Sequence, residues 1–187
     1  MQESGWCVWV TGLPGSGKSV IVEALVKRLK RQNVRVQVVS VDMLRRLMTP
    51  KPTYSETERD VVYAAIAFVA KLLTENHVNV VIDATGNRRR YRDNARKMIP
   101  EFIEAYVRCP LEICIERESK RGRSFMAPKY IYKRGLSGEA PTVPGLGVPY
   151  EEPLHPEVAV DSDRTSPEEC AQKIQNALTK RVQNNYS

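Results

Sequence analysis

The sequence contains no apolar run that approaches the roughly 20 residues needed to cross a bilayer. Its first five residues, Met-Gln-Glu-Ser-Gly, have neither the basic start nor the apolar stretch of a secretory signal. There is also no internal repeat and no second domain within the 187 residues. These absences predict a single domain, residues 1–187, that is cytoplasmic and has no membrane partner.

Cysteine and histidine are both scarce. The four cysteines are widely scattered, and Cys109 and Cys114 have no second ligand pair at the spacing of a zinc site. This pattern predicts reduced, mostly buried thiols. One of the two histidines, His77, follows a long predicted helix, and we expect it to be structural.

Acidic residues are outnumbered by basic ones, 22 against 29, so the chain carries a formal net charge of +7. Such an excess indicates an anionic partner. A nucleotide together with a second phosphorylated or sulfated ligand meets this requirement. Nucleic acid is an alternative that the pattern does not favour, because acids interrupt the basic residues everywhere except at residues 88–92.

Residues 12–19, Gly-Leu-Pro-Gly-Ser-Gly-Lys-Ser, fit the phosphate-binding pattern of Gly, four residues and Gly-Lys-Ser. The glycines let successive backbone N–H groups turn toward an anion, and the following helix directs its positive end to the same place. Lys18 supplies a charge for the β- and γ-phosphates, and the Ser19 hydroxyl is a candidate Mg²⁺ ligand. We expect ATP to bind to Gly12, Leu13, Pro14, Gly15, Ser16, Gly17, Lys18, Ser19 and Val20.

The surroundings of this loop support the match. Residues 6–11 form a short apolar run rich in β-formers, and residues 20–29 have apolar positions at helical spacing. Strand, loop and helix therefore occur in the required order. The sequence predicts an α/β fold, a three-layer α/β/α sandwich around a five-stranded parallel sheet. The other four strands are predicted at residues 34–39, 78–83, 102–107 and 157–161.

An aspartate lies at the end of each of two predicted strands: Asp42 follows the second strand, and Asp83 ends the third. Because ligands gather beyond the carboxyl ends of such strands, we expect both acids, and Arg45 one helical turn further on, to face Lys18. An acid in this position can orient Mg²⁺ or its water shell. Lys18, Asp42 and Asp83 are thus the candidate catalytic residues, and Ser19, Asp42 and Asp83 the candidate metal ligands. A helix N-cap is the alternative role for Asp42.

Residues 122–153 are dominated by glycine, proline, lysine and tyrosine and show no steady period. So long an irregular segment in a compact domain is typical of a lid or of disorder. A lid suits phosphoryl transfer, because water must be kept away from the transferred group.

Four stretches outside the phosphate loop carry a more specific signature. Residues 102–117, FIEAYVRCPLEICIER, are a predicted strand and helix, and residues 144–153, PGLGVPYEEP, close the predicted lid. Residues 161–163, Asp-Ser-Asp, follow the last strand, and residues 54–59 combine Tyr-Ser with Glu-Arg. These stretches resemble the corresponding segments of the adenylylsulfate (APS) kinase family of P-loop kinases, and the resemblance covers nearly the whole chain.

The resemblance implies transfer of the γ-phosphoryl group of ATP to the 3′-hydroxyl of APS, which gives the sulfate donor PAPS, in a family that commonly forms dimers. It implies that Asp42 orients or deprotonates the acceptor hydroxyl and that Arg117 lies over the ATP adenine. Arginines would grip the acceptor's anionic groups, an aromatic face would receive its base, and a lid lysine would reach phosphate. The implied acceptor-binding residues are Asp42, Arg45, Tyr54, Arg59, Arg89 and Lys133.

The chain departs from the family pattern on the acceptor side. The family's Asp-Gly-Asp is Ser-Val-Asp at residues 40–42, and its Asn-Ile-Arg-Arg is Val-Tyr-Ala-Ala at residues 62–65. Its Ser-Phe-Ile-Ser-Pro is Asp-Ala-Thr-Gly-Asn at residues 83–87, and a lid arginine is Leu136. Each lost charge-assisted contact typically costs about 1.5–3 kcal/mol, so two or three losses need compensation, for which Asp83 is the candidate.

Two alternatives therefore stay open. The first is a kinase on the same scaffold that acts on another hydroxyl, of a small molecule or a polynucleotide 5′-end, because residues 83–92 also resemble a segment of such P-loop kinases. The second is a nucleotide-binding regulatory protein with little phosphoryl transfer. Asp42 and Asp83 argue against the second, because mere binding requires no acid on the acceptor side.

Overall fold

The computed structural model describes residues 4–121 and 128–184. In chain order the strands are β1 (Cys7–Thr11), β2 (Val36–Ser40), β3 (Asn79–Asp83), β4 (Phe102–Arg108) and β5 (Val158–Asp161). The helices are α1 (Lys18–Arg31), α2 (Val41–Met48), α3 (Glu56–Glu75), α4 (Arg89–Met98), α5 (Leu111–Ser119), α6 (Ile131–Leu136) and α7 (Pro167–Asn184).

The five strands form a single sheet in the order β2-β3-β1-β4-β5, and every pair of neighbours is parallel. β1 therefore lies at the centre, with the two strands that follow it on one side and the last two on the other. The predicted five-stranded parallel sheet is confirmed. This order directs the carboxyl ends of β1, β2 and β3 to one edge of the sheet, where ligands bind in such folds.

Helices cover both faces of the sheet, so the central strand is buried on both sides, as its apolar sequence requires. Val8 and Val10 of β1 pack in the cluster formed with α1 and α7. Cys7 and Trp9, which point to the opposite face, pack in the cluster formed with α3 and α4. The alternation of one strand thus divides the core into two layers.

Two of the helices begin with side-chain caps of the pattern Ser, two residues, Glu, which the sequence contains at residues 55–58 and 166–169. The Ser55 hydroxyl accepts the N–H of Glu58 at 3.2 Å at the start of α3. Before α7, the Ser166 hydroxyl accepts the N–H of Glu169 at 3.3 Å, while the Glu169 carboxylate accepts the N–H of Ser166 at 3.0 Å. The second arrangement satisfies two donors reciprocally and is a complete capping box.

The expectation of a wholly irregular segment at residues 122–153 is wrong, because α6 lies within it. Six residues are too few to show a helical period in a sequence window. The helix is held instead by Tyr132, which is 1% exposed and packs with Cys114 and Val143 in a third, smaller cluster. Residues 122–127 of the predicted lid lie outside the described residues.

Among the helices of the described ranges, none combines the length and the apolar character that a membrane span requires.

Candidate active site

A cavity of about 550 Å³ opens at the edge of the sheet where β1, β2 and β3 end. Five groups of residues line it: part of the phosphate loop and the start of α1, the region from α2 to α3, residues 83–85 at the end of β3, residues within 117–121 at the end of α5, and a cover formed within residues 128–144. The predicted phosphate and acceptor regions therefore share one cavity.

The phosphate loop has a backbone that only glycine readily adopts. Gly15 has a φ of +79°, and a Cβ added there would lie 2.4 Å from the carbonyl oxygen of Cys114. Gly17, with a φ of +91°, directly precedes α1. A side chain at Gly15 would displace α5, and strain at Gly17 would disturb the helix N-terminus that the anion approaches.

Lys18 lies inside this loop. Its ammonium group donates hydrogen bonds to the carbonyl oxygens of Gly12, at 3.0 Å, and Leu13, at 2.9 Å. Burial lowers the pKa of Lys18, and the charges of Asp83 and Asp42 oppose that shift. The cation is therefore held by the loop and is electrostatically coupled to both acids at the strand ends.

The two aspartates lie side by side because their strands are neighbours: Asp83 ends β3 opposite Ser40 of β2, and Asp42 is in the first turn of α2. Both line the cavity. Burial raises the pKa of each; the charge of Asp83 raises that of Asp42 further, and Lys18 opposes both shifts. Ser40, not Asp42, is the N-cap residue of α2, so the N-cap interpretation of Asp42 is wrong.

Ser19 completes the group of candidate metal ligands. Its side chain lies near the Asp83 carboxylate, where it opposes the rise in the pKa of Asp83, and both residues line the cavity. Hydroxyl and carboxylate oxygens are the hard donors that Mg²⁺ binds, usually together with waters and phosphate oxygens. The donor set of Ser19, Asp42 and Asp83 therefore suits Mg²⁺.

Arg45 lines the cavity but is paired within the protein. Its guanidinium forms a buried ion pair with Glu58 and lies 4.8 Å from the centroid of the Tyr54 ring. Glu58 also accepts the N–H groups of Thr53 and Tyr54. The charge of Arg45 is thus largely balanced, and it orders the Tyr54 ring at the cavity wall.

Arg59 is different, because its hydrogen-bond partners are neutral. It donates to the carbonyl oxygen of Tyr54 at 3.0 Å, to Oδ1 of Asn87 at 3.1 Å and to the carbonyl oxygen of Thr142. It is 7% exposed and lines the cavity, and burial lowers its pKa. Since a buried charge is costly without an opposite charge, Arg59 favours an anion in the cavity.

Arg117 lines the cavity near the phosphate loop. Its guanidinium donates to the carbonyl and hydroxyl oxygens of Ser162, at 2.9 and 3.2 Å. The Ser162 hydroxyl in turn donates to the carbonyl oxygen of Ser16, at 2.7 Å. Arg117 is therefore connected to the loop that binds phosphate.

Five predicted site residues do not line the cavity. Gly12, Leu13 and Ser16 form the inner side of the phosphate loop, and Gly12 and Ser16 are buried. Arg89 donates to the carbonyl oxygen of Glu152 at 3.2 Å, away from the cavity, and Lys133 is exposed on α6. The structure brings together Pro14, Gly15, Gly17, Lys18, Ser19, Val20, Asp42, Arg45, Tyr54, Arg59, Asp83 and Arg117.

Comparison with known proteins agrees with this geometry. The sequence model of the family Adenylylsulphate kinase matches residues 4–161. The chain belongs to this family. Adenylyl-sulfate kinase of Gloeothece citriformis is 35% identical over 178 residues, which are 95% of this chain and 96% of that relative. A probable adenylyl-sulfate kinase of Pyrococcus abyssi is 34% identical over 170 residues, 91% and 92% of the two chains.

Solved structures of the adenylylsulphate kinase family superpose well on the chain. The Mycobacterium tuberculosis APS kinase CysC in complex with AMPPNP and APS has a TM-score of 0.82 and 28% identity, with 95% of this chain and 99% of that one covered. A gluconokinase from Sinorhizobium meliloti, with a TM-score of 0.67 and 20% identity, shows a likeness of fold alone. The predicted P-loop kinase fold is confirmed.

The cavity residues of this family member that are absent from the predicted site include Tyr63, Arg121 and Arg134. Tyr63 could have been found, because it follows Arg59 by four positions and therefore lies on the same face of α3. Arg134 lies in α6, and without that helix its direction could not be assigned from the sequence.

Proposed function

We propose that the protein is an adenylylsulfate kinase, which transfers the γ-phosphoryl group of ATP to the 3′-hydroxyl of APS and releases ADP and PAPS. The observation that carries the proposal is a single cavity lined by the phosphate loop and by two partly buried aspartates, Asp42 and Asp83. Membership of the family and the likeness to a structure that holds AMPPNP and APS support the same substrates.

The phosphate loop binds the triphosphate of ATP. Lys18 supplies a positive charge where negative charge accumulates on the phosphates, and the backbone N–H groups before α1 add to it. Arg117 holds the adenine side, as its link through Ser162 to the loop supports. These interactions are stronger in the transition state than in the bound substrates, because charge accumulates on the transferred group as the reaction proceeds. They therefore lower the activation barrier.

Mg²⁺ accompanies ATP in this proposal, held by Ser19 and Asp83. Within the described ranges, no cluster of three or more His, Cys, Asp or Glu side chains could hold a metal, so phosphate and water oxygens complete the set. When bound, Mg²⁺ would neutralise charge on the phosphate oxygens.

The two aspartates have different roles in the proposed reaction. Asp83 lies near the Ser19 side chain and therefore belongs with the metal ligands, while Asp42 is the base for the acceptor. The Asp42 carboxylate takes the proton of the 3′-hydroxyl while the new O–P bond forms and the bond from the γ-phosphorus to the bridging oxygen of ADP breaks. The raised pKa of Asp42 strengthens it as a base.

Arg59 accounts for recognition of an anionic acceptor in spite of the departures from the family pattern. It is buried, it lines the cavity, and its protein partners are neutral oxygens. APS carries a phosphosulfate group that would balance this charge. Asp83, next to Asp42, takes the place of the missing family carboxylate. Arg45, Tyr54, Arg89 and Lys133 stay predicted acceptor contacts.

The test is incubation of the protein with Mg-ATP and APS, followed by separation of PAPS and ADP. We expect both products in equal amounts, and neither when APS is omitted. ADP formation only with a 5′-hydroxyl oligonucleotide or another alcohol would favour a kinase with a different acceptor. Tight ATP binding without acceptor-dependent turnover would favour a regulatory nucleotide-binding protein.

We propose a cytoplasmic location, supported by four cysteines that are all free thiols. The homodimer also stays a proposal. A hexameric APS kinase from Thiobacillus denitrificans has a TM-score of 0.65 and 26% identity, and the match covers 96% of this chain but 29% of that chain. Light scattering on the purified protein will give the number of copies.

A further inference from the structure

Tyr63 occupies a fixed position in the wall of the cavity. It follows Arg59 by one turn of α3, lines the cavity and is 4% exposed. Its ring is stacked between those of Trp9 and Tyr91, with centroid distances of 6.1 and 4.4 Å. The side chain therefore has little freedom to turn its hydroxyl elsewhere.

Within the described residues, the Tyr63 hydroxyl accepts a hydrogen bond but donates none. Its oxygen accepts the N–H of Gly86 at 3.0 Å in a buried hydrogen bond. A phenol also has one proton to donate, and no acceptor for it is found among residues 4–121 and 128–184. Buried hydroxyl groups are nearly always satisfied, so this proton is positioned for something that enters the cavity.

The backbone around the hydroxyl is held rigidly. The loop 84–86, which directly follows Asp83, has each of its three carbonyl oxygens bound by a side chain from another part of the chain. Tyr63 adds the bond to the N–H of Gly86. The hydroxyl is thereby fixed relative to the Asp83 backbone. The three side chains that bind the carbonyl oxygens are Trp9, Thr11 and Arg92.

We propose that Tyr63 is a binding residue for the acceptor substrate, and that its hydroxyl donates a hydrogen bond to an uncharged oxygen or nitrogen of that substrate. The inference rests on the proposed function, because it takes the half of the cavity beside Asp42 and Asp83 as the acceptor site. Arg45, Arg59 and Asp42 interact electrostatically with Tyr63, so the phenol lies among the charged groups of that half. Arg59 supplies the positive charge that binds the anionic groups of the acceptor. The neutral phenol of Tyr63 therefore donates its hydrogen bond to an uncharged polar atom of the acceptor.

Such a contact makes Tyr63 a determinant of specificity. A site that donates a buried hydrogen bond rejects an acceptor lacking the matching atom, because the donor is then left unpaired. The stretch from residue 62 to 65 differs from the APS kinase pattern, and Tyr63 would restore a polar contact there.

The test compares Tyr63→Phe with Tyr91→Phe. Tyr91 belongs to the same aromatic stack, but its hydroxyl donates to Asp60 at 2.8 Å and does not line the cavity. In steady-state assays with Mg-ATP and APS, we expect Tyr63→Phe to raise the KM for APS roughly 3- to 10-fold, the effect of one neutral hydrogen bond. The KM for ATP and kcat should change by less than about 2-fold, and Tyr91→Phe should leave all three constants within the same range.

The outcomes separate the inference from the proposed function. If the wild-type protein forms no PAPS, the proposed function is overturned, and the acceptor assignment of Tyr63 with it. If the wild-type protein forms PAPS but the two variants share its KM for APS, only the role of Tyr63 is overturned. A lower kcat with unchanged KM would also overturn it, because that is the signature of a residue that merely positions the loop 84–86.

A second measurement covers the case in which Tyr63→Phe does not fold. 3-Fluorotyrosine is placed at position 63 alone by codon reassignment, and its ¹⁹F NMR signal is followed in the otherwise unchanged protein. We expect the signal to shift on addition of APS in the presence of ADP, and not on addition of ADP alone. A signal that is indifferent to saturating APS would overturn the inference in a protein that forms PAPS.

Discussion

The hydroxyl of Tyr132 donates a hydrogen bond to the carbonyl oxygen of Pro14, 2.8 Å away. The two residues are 118 positions apart in the chain, and the bond joins α6 to the phosphate loop. Because Pro14 lines the cavity and α6 belongs to its cover, this contact couples the position of the cover to the shape of the loop. It gives the segment after residue 128 a direct influence on nucleotide binding.

We therefore predict that Tyr132→Phe weakens the binding of ATP. The change removes one neutral hydrogen bond and leaves the ring in its cluster, so the free energy of unfolding should fall by about 1 kcal/mol. The KM for ATP should rise roughly 3- to 5-fold, because the loop is less ordered before ATP binds. Thermal unfolding and steady-state kinetics at saturating APS will measure the two effects.

The matched control is Tyr130→Phe, two positions earlier, where the side chain is 54% exposed. It should leave both the stability and the KM for ATP unchanged. Equal effects of the two substitutions would show that the bond to Pro14 is not the reason for either.

A second prediction concerns Lys18→Ala. Turnover should fall by roughly 10²- to 10³-fold, because a preorganised charge at the transferred group is lost. The fold should persist, since α1 is held by buried residues such as Ile21 and Leu25 rather than by the ammonium group. PAPS formation and circular dichroism will test both statements.

Lys27→Ala, at an exposed position of the same helix, is the control and should retain normal turnover. Near-normal turnover of Lys18→Ala would refute the assignment of the loop to the transferred phosphate.

A third prediction separates the two aspartates. Asp42→Asn should reduce kcat by about 10²-fold or more, the usual size of a general-base contribution, with little change in ATP affinity. Asp83→Asn should reduce both, because Asp83 lies near Ser19 of the phosphate loop and interacts with the charge of Lys18. The measurements are kcat with APS and the Kd for Mg-ATP by calorimetry. If Asp42→Asn lost turnover and ATP affinity in equal measure, Asp42 would belong to the nucleotide site instead.

The parts of the fold that the sequence predicts are those with local signals. The phosphate loop needs glycine at positions 15 and 17, and the apolar runs before Asp83 and at residues 102–107 are long enough to reveal buried strands. The capping pair Ser55 and Glu58 marks the start of α3 to within one residue. Each of these features is determined by a few neighbouring residues, so it can be recognised from the sequence.

The parts of the fold and of the site that the sequence does not predict depend on contacts between segments that are far apart in the chain. Arg89 follows the strand-end loop, as an acceptor-binding arginine would, but it reaches the backbone of Glu152. The burial of Arg92 depends on Glu104, which lies on the neighbouring strand β4. The spacing from Arg59 places Tyr63 on the cavity face of α3, but the aromatic rings of β1 and α4 that stack against it come from distant segments. No local pattern reports such partners.

A fourth prediction tests the ion pairs that fasten β5 to the sheet. Glu157 pairs with Arg96, and its carboxylate also accepts the N–H of Glu104 at 2.7 Å. Burial opposes ionisation of Glu157, but the hydrogen bonds from Arg96 and from the Glu104 N–H outweigh it, so its pKa lies below the usual range. A carboxyl whose pKa is lowered by folding stabilises the fold above its unfolded pKa, and that contribution is lost as the pH falls through the folded value.

Glu157→Gln should therefore lower the free energy of unfolding at pH 7 by about 0.5–1 kcal/mol, a modest value because the pair is partly exposed and screened by solvent. The difference from the wild-type protein should narrow as the pH falls below about 4.3, the ordinary pKa of glutamate, since the wild-type carboxyl is then increasingly protonated. Urea unfolding at pH 7 and at several acidic values will measure it. The control is Glu116→Gln, whose exposed pair with Lys120 should contribute nothing measurable at either pH. A loss at Glu157 that stays constant down to low pH would show that the side chain acts through packing and not through its charge.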